Sequence, residues 1–155
     1  LAATAVPGVE EWRDGAYRRT LSLPSGPGIV ALAPRADHVA AMLWLSDPRD
    51  LTPAIARCRR LLDLDADPIA VGQVLAADPA LAPLVHAAPG RRVPGTVDGA
   101  ELALRMVLGQ QVSTAAARTQ TARLVARFGM PIADPGGGLT HLFPSAQTLA
   151  ALAPG

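Results

Sequence analysis

With 155 residues and a net charge of +1, the chain has length for one sizeable core, or for a small domain plus part of a second, and its near-neutral balance gives no whole-chain case for a nucleic-acid partner. Half of the residues are apolar, much of that alanine, and aromatics make up only 3%, too few and too scattered for a base-stacking platform. The single cysteine excludes an internal disulfide and a four-cysteine iron–sulfur cluster, and with no signal peptide or long uncharged apolar run the cytoplasm is the default compartment.

Three short strand-like runs come first, at residues 17–23, 28–33 and 39–45, separated by Pro24-Ser25-Gly26-Pro27 and Pro34-Arg35-Ala36-Asp37. Apolar runs punctuated by turn residues predict an antiparallel meander. A helix over 53–62 follows, with Thr52 as its N-cap and an apolar stripe suited to covering a sheet face, which makes this part an α+β module. Cys58 falls on that stripe with Ile55, Leu61 and Leu62 and reads as a small core residue rather than a nucleophile. Asp67-Pro68 and Asp78-Pro79 each place an N-cap before a proline at the first helical position, predicting short helices over 68–76 and 79–87. The domain boundary is expected near 64–68, with the Ala-Pro-Gly stretch at 88–90 as a competing linker.

Asp63, Asp65 and Asp67 alternate like the start of a calcium loop, but the glycine and closing glutamate of that loop are absent, so a solvated helix exit is the better reading. His38, His86 and His141 have no second ligand at metal spacing, and no metal site is expected.

The densest information lies in residues 91–129, RRVPGTVDGAELALRMVLGQQVSTAAARTQTARLVARFG. Asp98 with Glu101 three residues later makes a capping-box-like start. Leu104, Val107 and Leu108 continue at helical spacing, and Gly109 ends the helix. A second helix begins at Ser113, carries Ala116, Thr119, Ala122, Val125 and Phe128, and stops at Gly129, a residue able to take the left-handed cap conformation. Between the two helices, Gly109-Gln110-Gln111-Val112 leaves two polar amides at the tip of a short junction. Ser113 either caps the second helix or donates to a phosphate at its start, and capping alone explains it.

Charge is uneven along the chain. Residues 1–90 hold eight arginines against ten acids, and residues 91–155 hold six against three, so a basic bias coincides with the junction segment, as a phosphate-facing surface requires. Arg105, Arg118, Arg123 and Arg127 either form that surface or solvate outer helix faces. All fourteen cationic side chains are arginine, which removes lysine chemistry, including a Schiff-base nucleophile. Gly136-Gly137-Gly138 lacks the preceding strand and following Lys-Ser/Thr of a phosphate-cradling loop and is expected to be a mobile surface loop.

The pattern PG-VD-----R-(V/I)LGQ-VS-A-A---TAR-V---(Y/F)G, met over residues 93–129, resembles the helical segment of bacterial 3-methyladenine DNA glycosylase II, the AlkA type, within the helix-hairpin-helix glycosylase superfamily. The likeness continues more weakly through Phe143-Pro144-Ser145 and Gln147. It also runs backwards, since residues 9–64 resemble the family's small amino-terminal domain in the order of their segments.

The resemblance implies an α+β fold class: a small antiparallel sheet with a covering helix over residues 1–66, followed by an incomplete all-α domain of the glycosylase type over 67–155. It implies base-excision repair, in which an alkylated purine is turned out of double-stranded DNA and its N-glycosidic bond hydrolysed, with no metal or organic cofactor and a monomer when complete. Gln110 matches the family's junction glutamine. Gln111 falls at the intercalating wedge position, where the best-known members carry an apolar side chain. With Gly109 and Ser113 they make up the candidate DNA-contacting set. No catalytic residue is assigned, because the family places its hairpin and catalytic aspartate further toward the carboxyl end than Gly155, and no acidic residue present matches that aspartate. The chain is therefore expected to be a fragment, inactive alone. The alternative is a non-catalytic DNA-binding or sensor module of an alkylation-response regulator fused to an alkyl-transfer domain.

Overall fold

Tyr17, Leu21 and Leu23 of one strand face Leu32, Gly28 and Gly26 of the next across a continuous antiparallel ladder, and all three of the former are buried. That ladder is the centre of a four-stranded sheet in the order β1-β2-β3-β4, made of β1 (Glu10–Arg13), β2 (Ala16–Leu23), β3 (Gly26–Pro34) and β4 (Val39–Leu45). The computed structural model describes residues 1–152. The antiparallel meander is as expected, with one strand more than the three foreseen. β1 reads Glu-Glu-Trp-Arg and has no apolar alternation to announce it. Its signal is the Asp14-Gly15 pair, whose φ values of 52° and 74° make the mirror-image two-residue turn that matches strand twist.

After the sheet come α1 (Leu51–Leu61), α2 (Pro68–Ala76), α3 (Ala82–Ala87), α4 (Gly99–Leu108), α5 (Thr114–Phe128) and α6 (Ala146–Ala150). Ala54, Cys58 and Leu61 are the buried positions of α1, a stripe at i, i+4 and i+7. Thr52 does not cap this helix but lies within its first turn. Asp47 caps the preceding 3-10 turn, Pro48–Asp50, by accepting from the Arg49 amide. Asp67 caps α2 as expected, accepting from the Ile69 and Ala70 amides. Asp78 only closes an isolated turn by accepting from the Ala80 amide at 2.7 Å, and α3 starts later. Pro83 explains the delay: in a helix opening at Pro79 it would be an interior residue without a donor, whereas from Ala82 it falls in the first turn, where its missing N–H costs nothing.

The chain divides into two compact units. One comprises residues 1–54 together with those from Asp98 onward, the other Ile55–Val97. In the second unit α2 and α3 pack on each other, and no residue of either is buried. Arg92 of the same unit donates to the Asp63 carbonyl and, at 2.9 Å, to that of Ala66. In the first unit Val6, Val9 and Val125 form a buried cluster against Ala122 and Phe143. The backbone around Gly8, at φ 85°, offers its carbonyl to the amides of Thr140 and His141.

The glycine stretch at 136–138 is fastened rather than free. Arg18 of β2 donates to the Gly137 carbonyl and to Asp134, and Arg13 to the Gly136 carbonyl. Asp134 in turn accepts from the Gly136 and Leu139 amides. Burial alone would raise the Asp134 carboxyl, but Arg18 and these two amides outweigh it and hold it below its ordinary value.

Candidate nucleic-acid interface

The junction between α4 and α5 is built from its two helix ends. Asp98 caps α4 by accepting from the Glu101 amide at 2.9 Å. At the far end the Gly109 amide donates to the Arg105 carbonyl at 2.9 Å and the Gln110 amide to that of Val107 at 3.2 Å. Ser113 accepts from the Ala116 amide at 3.2 Å and so caps α5. Gly109 ends its helix without using glycine's freedom, at φ −85°. A β-carbon there would stand a tight 3.1 Å from the Arg105 carbonyl of its own helix and an ordinary 4.0 Å from Ala117 of α5. The left-handed residue is Gln111, at φ 56°, a conformation that costs an L residue roughly 1 kcal/mol or more. Gln110, Gln111, Val112 and Ser113 are all exposed, so the four-residue tip projects both amide side chains on a strained backbone.

Gly129 also departs from its expected role. It is extended, at φ −70° and ψ 149°, not left-handed. A β-carbon there would lie 2.5 Å from the Leu142 carbonyl and 2.6 Å from that of Val125, so glycine is required by close approach.

The arginines near the junction separate into two kinds. Arg105 neither faces phosphate nor solvates an outer helix face. Its Nη1 donates to both Glu10 oxygens at 3.1 Å and to Glu101 at 3.0 Å, and its Nη2 to the Thr4 carbonyl at 2.8 Å. Arg118 donates through Nε to the Ala5 carbonyl at 2.8 Å. Arg123 and Arg127 remain exposed, the latter lying 5.1 Å above the Phe128 ring. With Arg118, which is exposed too, these two are the cationic side chains that α5 leaves at its surface.

Beneath α4 lies an ionic cluster that the sequence reading did not single out. Arg19 of β2, 2% exposed, donates to Glu10 at 3.1 Å and to Glu101 at 2.7 Å, while the Tyr17 hydroxyl donates to Glu10 at 2.6 Å and the Val6 amide to the other Glu10 oxygen at 2.9 Å. Two guanidinium groups and two carboxylates thus cancel in charge and share their donors and acceptors. Burial opposes ionisation of Glu10, but Arg19, Arg105, Tyr17 and Val6 together hold its carboxyl below the ordinary value. Burial, with Glu10 and Glu101 adding to it against Arg19, pushes the Tyr17 hydroxyl well above its ordinary value. The signal for this cluster was in the sequence: Arg18-Arg19 in the middle of an apolar strand must find carboxylates.

Among the described residues, no helix is long and apolar enough to cross a membrane.

The AlkA N-terminal domain family model matches residues 1–98. Over all 155 residues the chain is 63% identical to the probable bifunctional transcriptional activator/DNA repair enzyme AlkA of Mycobacterium tuberculosis strain H37Rv, covering 31% of that protein. It is 37% identical to DNA-3-methyladenine glycosylase 2 of Escherichia coli strain K12, with 99% of this chain and 52% of that protein aligned. The chain therefore spans between about a third and about a half of these relatives' lengths. In fold it matches the 3-methyladenine DNA-glycosylase from Archaeoglobus fulgidus with a TM-score of 0.81 at 18% identity, over 97% of this chain and 52% of that one. With the family model matching well over half of its residues, the chain belongs to the AlkA N-terminal domain family.

Proposed function

We propose that the protein to which this chain belongs is a monofunctional DNA glycosylase that turns alkylated purines of the 3-methyladenine class out of duplex DNA and hydrolyses the N-glycosidic bond. The observation that carries the reading is the exposed α4–α5 tip, where Gln111 is held in a left-handed conformation beside Gln110. Gln111 enters the duplex as a wedge, and its amide hydrogen-bonds the base left without a partner. That bond offsets part of the few kcal/mol that unstacking costs. Gly109 closes α4 directly before the tip, and Ser113 holds the start of α5 against the phosphate chain. In this reading residues 1–66 are the amino-terminal α+β domain and 67–155 the first part of the helical glycosylase domain. The likeness to DNA-3-methyladenine glycosylase 2 supports the substrate class.

The test is excision of an alkylated purine from duplex DNA by the full-length protein and by its Gln110→Ala, Gln111→Ala double variant. Base release by the native protein, falling about tenfold in the variant, corresponds to about 1.4 kcal/mol of lost transition-state stabilisation. Duplex binding without any release favours the second reading, a DNA-binding sensor module of an alkylation-response regulator. The mycobacterial relative, a probable transcriptional activator as well as DNA repair enzyme, supports this second reading.

A further inference from the structure

We infer that Arg105 and Glu101 are positioning residues for the Gln110-Gln111 tip: they lock the last turns of α4 to the sheet and so set where the wedge stands. The inference rests on the glycosylase reading for its consequence in catalysis, but its structural half stands on the cluster alone. α4 is ten residues long, too short to hold its final turn by propensity, and helix ends fray first. Yet the tip that follows contains a non-glycine residue at φ 56°, a conformation that persists only where its surroundings over-determine it.

The surroundings that do so are two arginines, one on each flanking helix. Arg105, one turn before Gly109, reaches Glu10, Glu101 and the Thr4 carbonyl. Arg118, one turn into α5, reaches the adjacent Ala5 carbonyl. Both helix ends are thereby referred to the same pair of peptide units, and the four tip residues are strung between them. Glu101 adds the tie to Arg19 inside the sheet. Apolar side chains of similar volume would stabilise such a contact as well or better, whereas charge-assisted hydrogen bonds add directional donors and acceptors that hold the helix in register. Fixing a side chain to within a fraction of an ångström is what insertion into a base stack requires.

The experiment uses the full-length protein carrying Arg105→Gln, Glu101→Gln or, as a comparison that breaks an ion pair away from α4, Asp134→Asn. Two quantities are read in each: hydrogen exchange of the Gly109 and Gln110 amides, and single-turnover excision of an alkylated purine set against duplex affinity. The expected result is exchange accelerated by roughly tenfold or more in both α4 variants, with excision slowed about tenfold while duplex affinity stays within about threefold. Asp134→Asn is expected to do neither. Native exchange in Arg105→Gln and Glu101→Gln, faster exchange without slower excision, or equal effects from Asp134→Asn overturn the inference. If the native protein releases no base, the glycosylase reading falls separately, and the exchange comparison still decides whether the cluster positions the tip.

Discussion

At Gln111 stability and function are set against each other. A left-handed φ of 56° is disfavoured for glutamine and free for glycine, so Gln111→Gly removes the strain while taking away the amide. The expected outcome is a thermal midpoint unchanged or raised, by up to about 1 kcal/mol of stability, together with excision lowered by about tenfold, the fall that marks loss of a transition-state contact worth about 1.4 kcal/mol. Parallel loss of stability and excision would mean that the side chain is a packing element. The same residue shows how far sequence reading reaches at this scale. Two amides at a helix junction are visible as letters, but no letter tells that the left-handed turn falls on Gln111, since Gly109 before it ends α4 at an ordinary φ of −85°.

At the level of elements, Gly129 is the sharpest case. Its φ is one that any residue adopts, so a Gly129→Ala substitution is resisted by close neighbours alone, the carbonyls of Leu142 and Val125 and the His141 β-carbon. It is expected to cost about 1–3 kcal/mol, read as a lower denaturation midpoint with an unchanged denaturant slope. A neutral result would show that the 129–142 segment yields easily. β2, β3 and β4 were legible because their apolar runs are bounded by Pro and Gly, and α2 because Asp67 precedes a proline at the first helical position and a largely apolar segment. β1 was not, since an edge strand of four residues carries charge where a pattern would be. The start of α3 was misread because Asp78-Pro79 bears the same signal as Asp67-Pro68, and only Pro83, four residues on, distinguishes a turn from a helix. The candidate tip was readable as a motif. The ionic cluster under it joins residues 10, 19, 101 and 105, and no local pattern links positions so far apart.

On the scale of the whole molecule, the buried charges set the pH range. Glu10 and Asp134 are held below their ordinary values of 4.5 and 3.8. Their contribution to stability is therefore present above those values and is lost as pH falls through the lower, folded-state values. Tyr17 is raised above its ordinary value of 10.0, so above that pH the unfolded chain ionises first and stability declines again. Denaturation midpoints measured against pH are expected to be level across neutrality and to fall at both ends, with Tyr17→Phe flattening the alkaline limb and Asp134→Asn the acid one. A level alkaline limb in the native protein would show that the Tyr17 hydroxyl is neither shielded from water nor held by Glu10.

Each of the two arginines that flank the tip takes hold of a main-chain oxygen, Arg105 that of Thr4 and Arg118 that of Ala5. Exposed Thr4 can therefore change its identity over evolutionary time without loosening Arg105. The number of residues between it and Glu10 cannot change, because Arg105 grips both ends of that interval and a single insertion or deletion would put one acceptor out of reach. The amino-terminal stretch acts as a ruler: its letters are replaceable, and its length is what a reading-frame-preserving insertion or deletion would damage first.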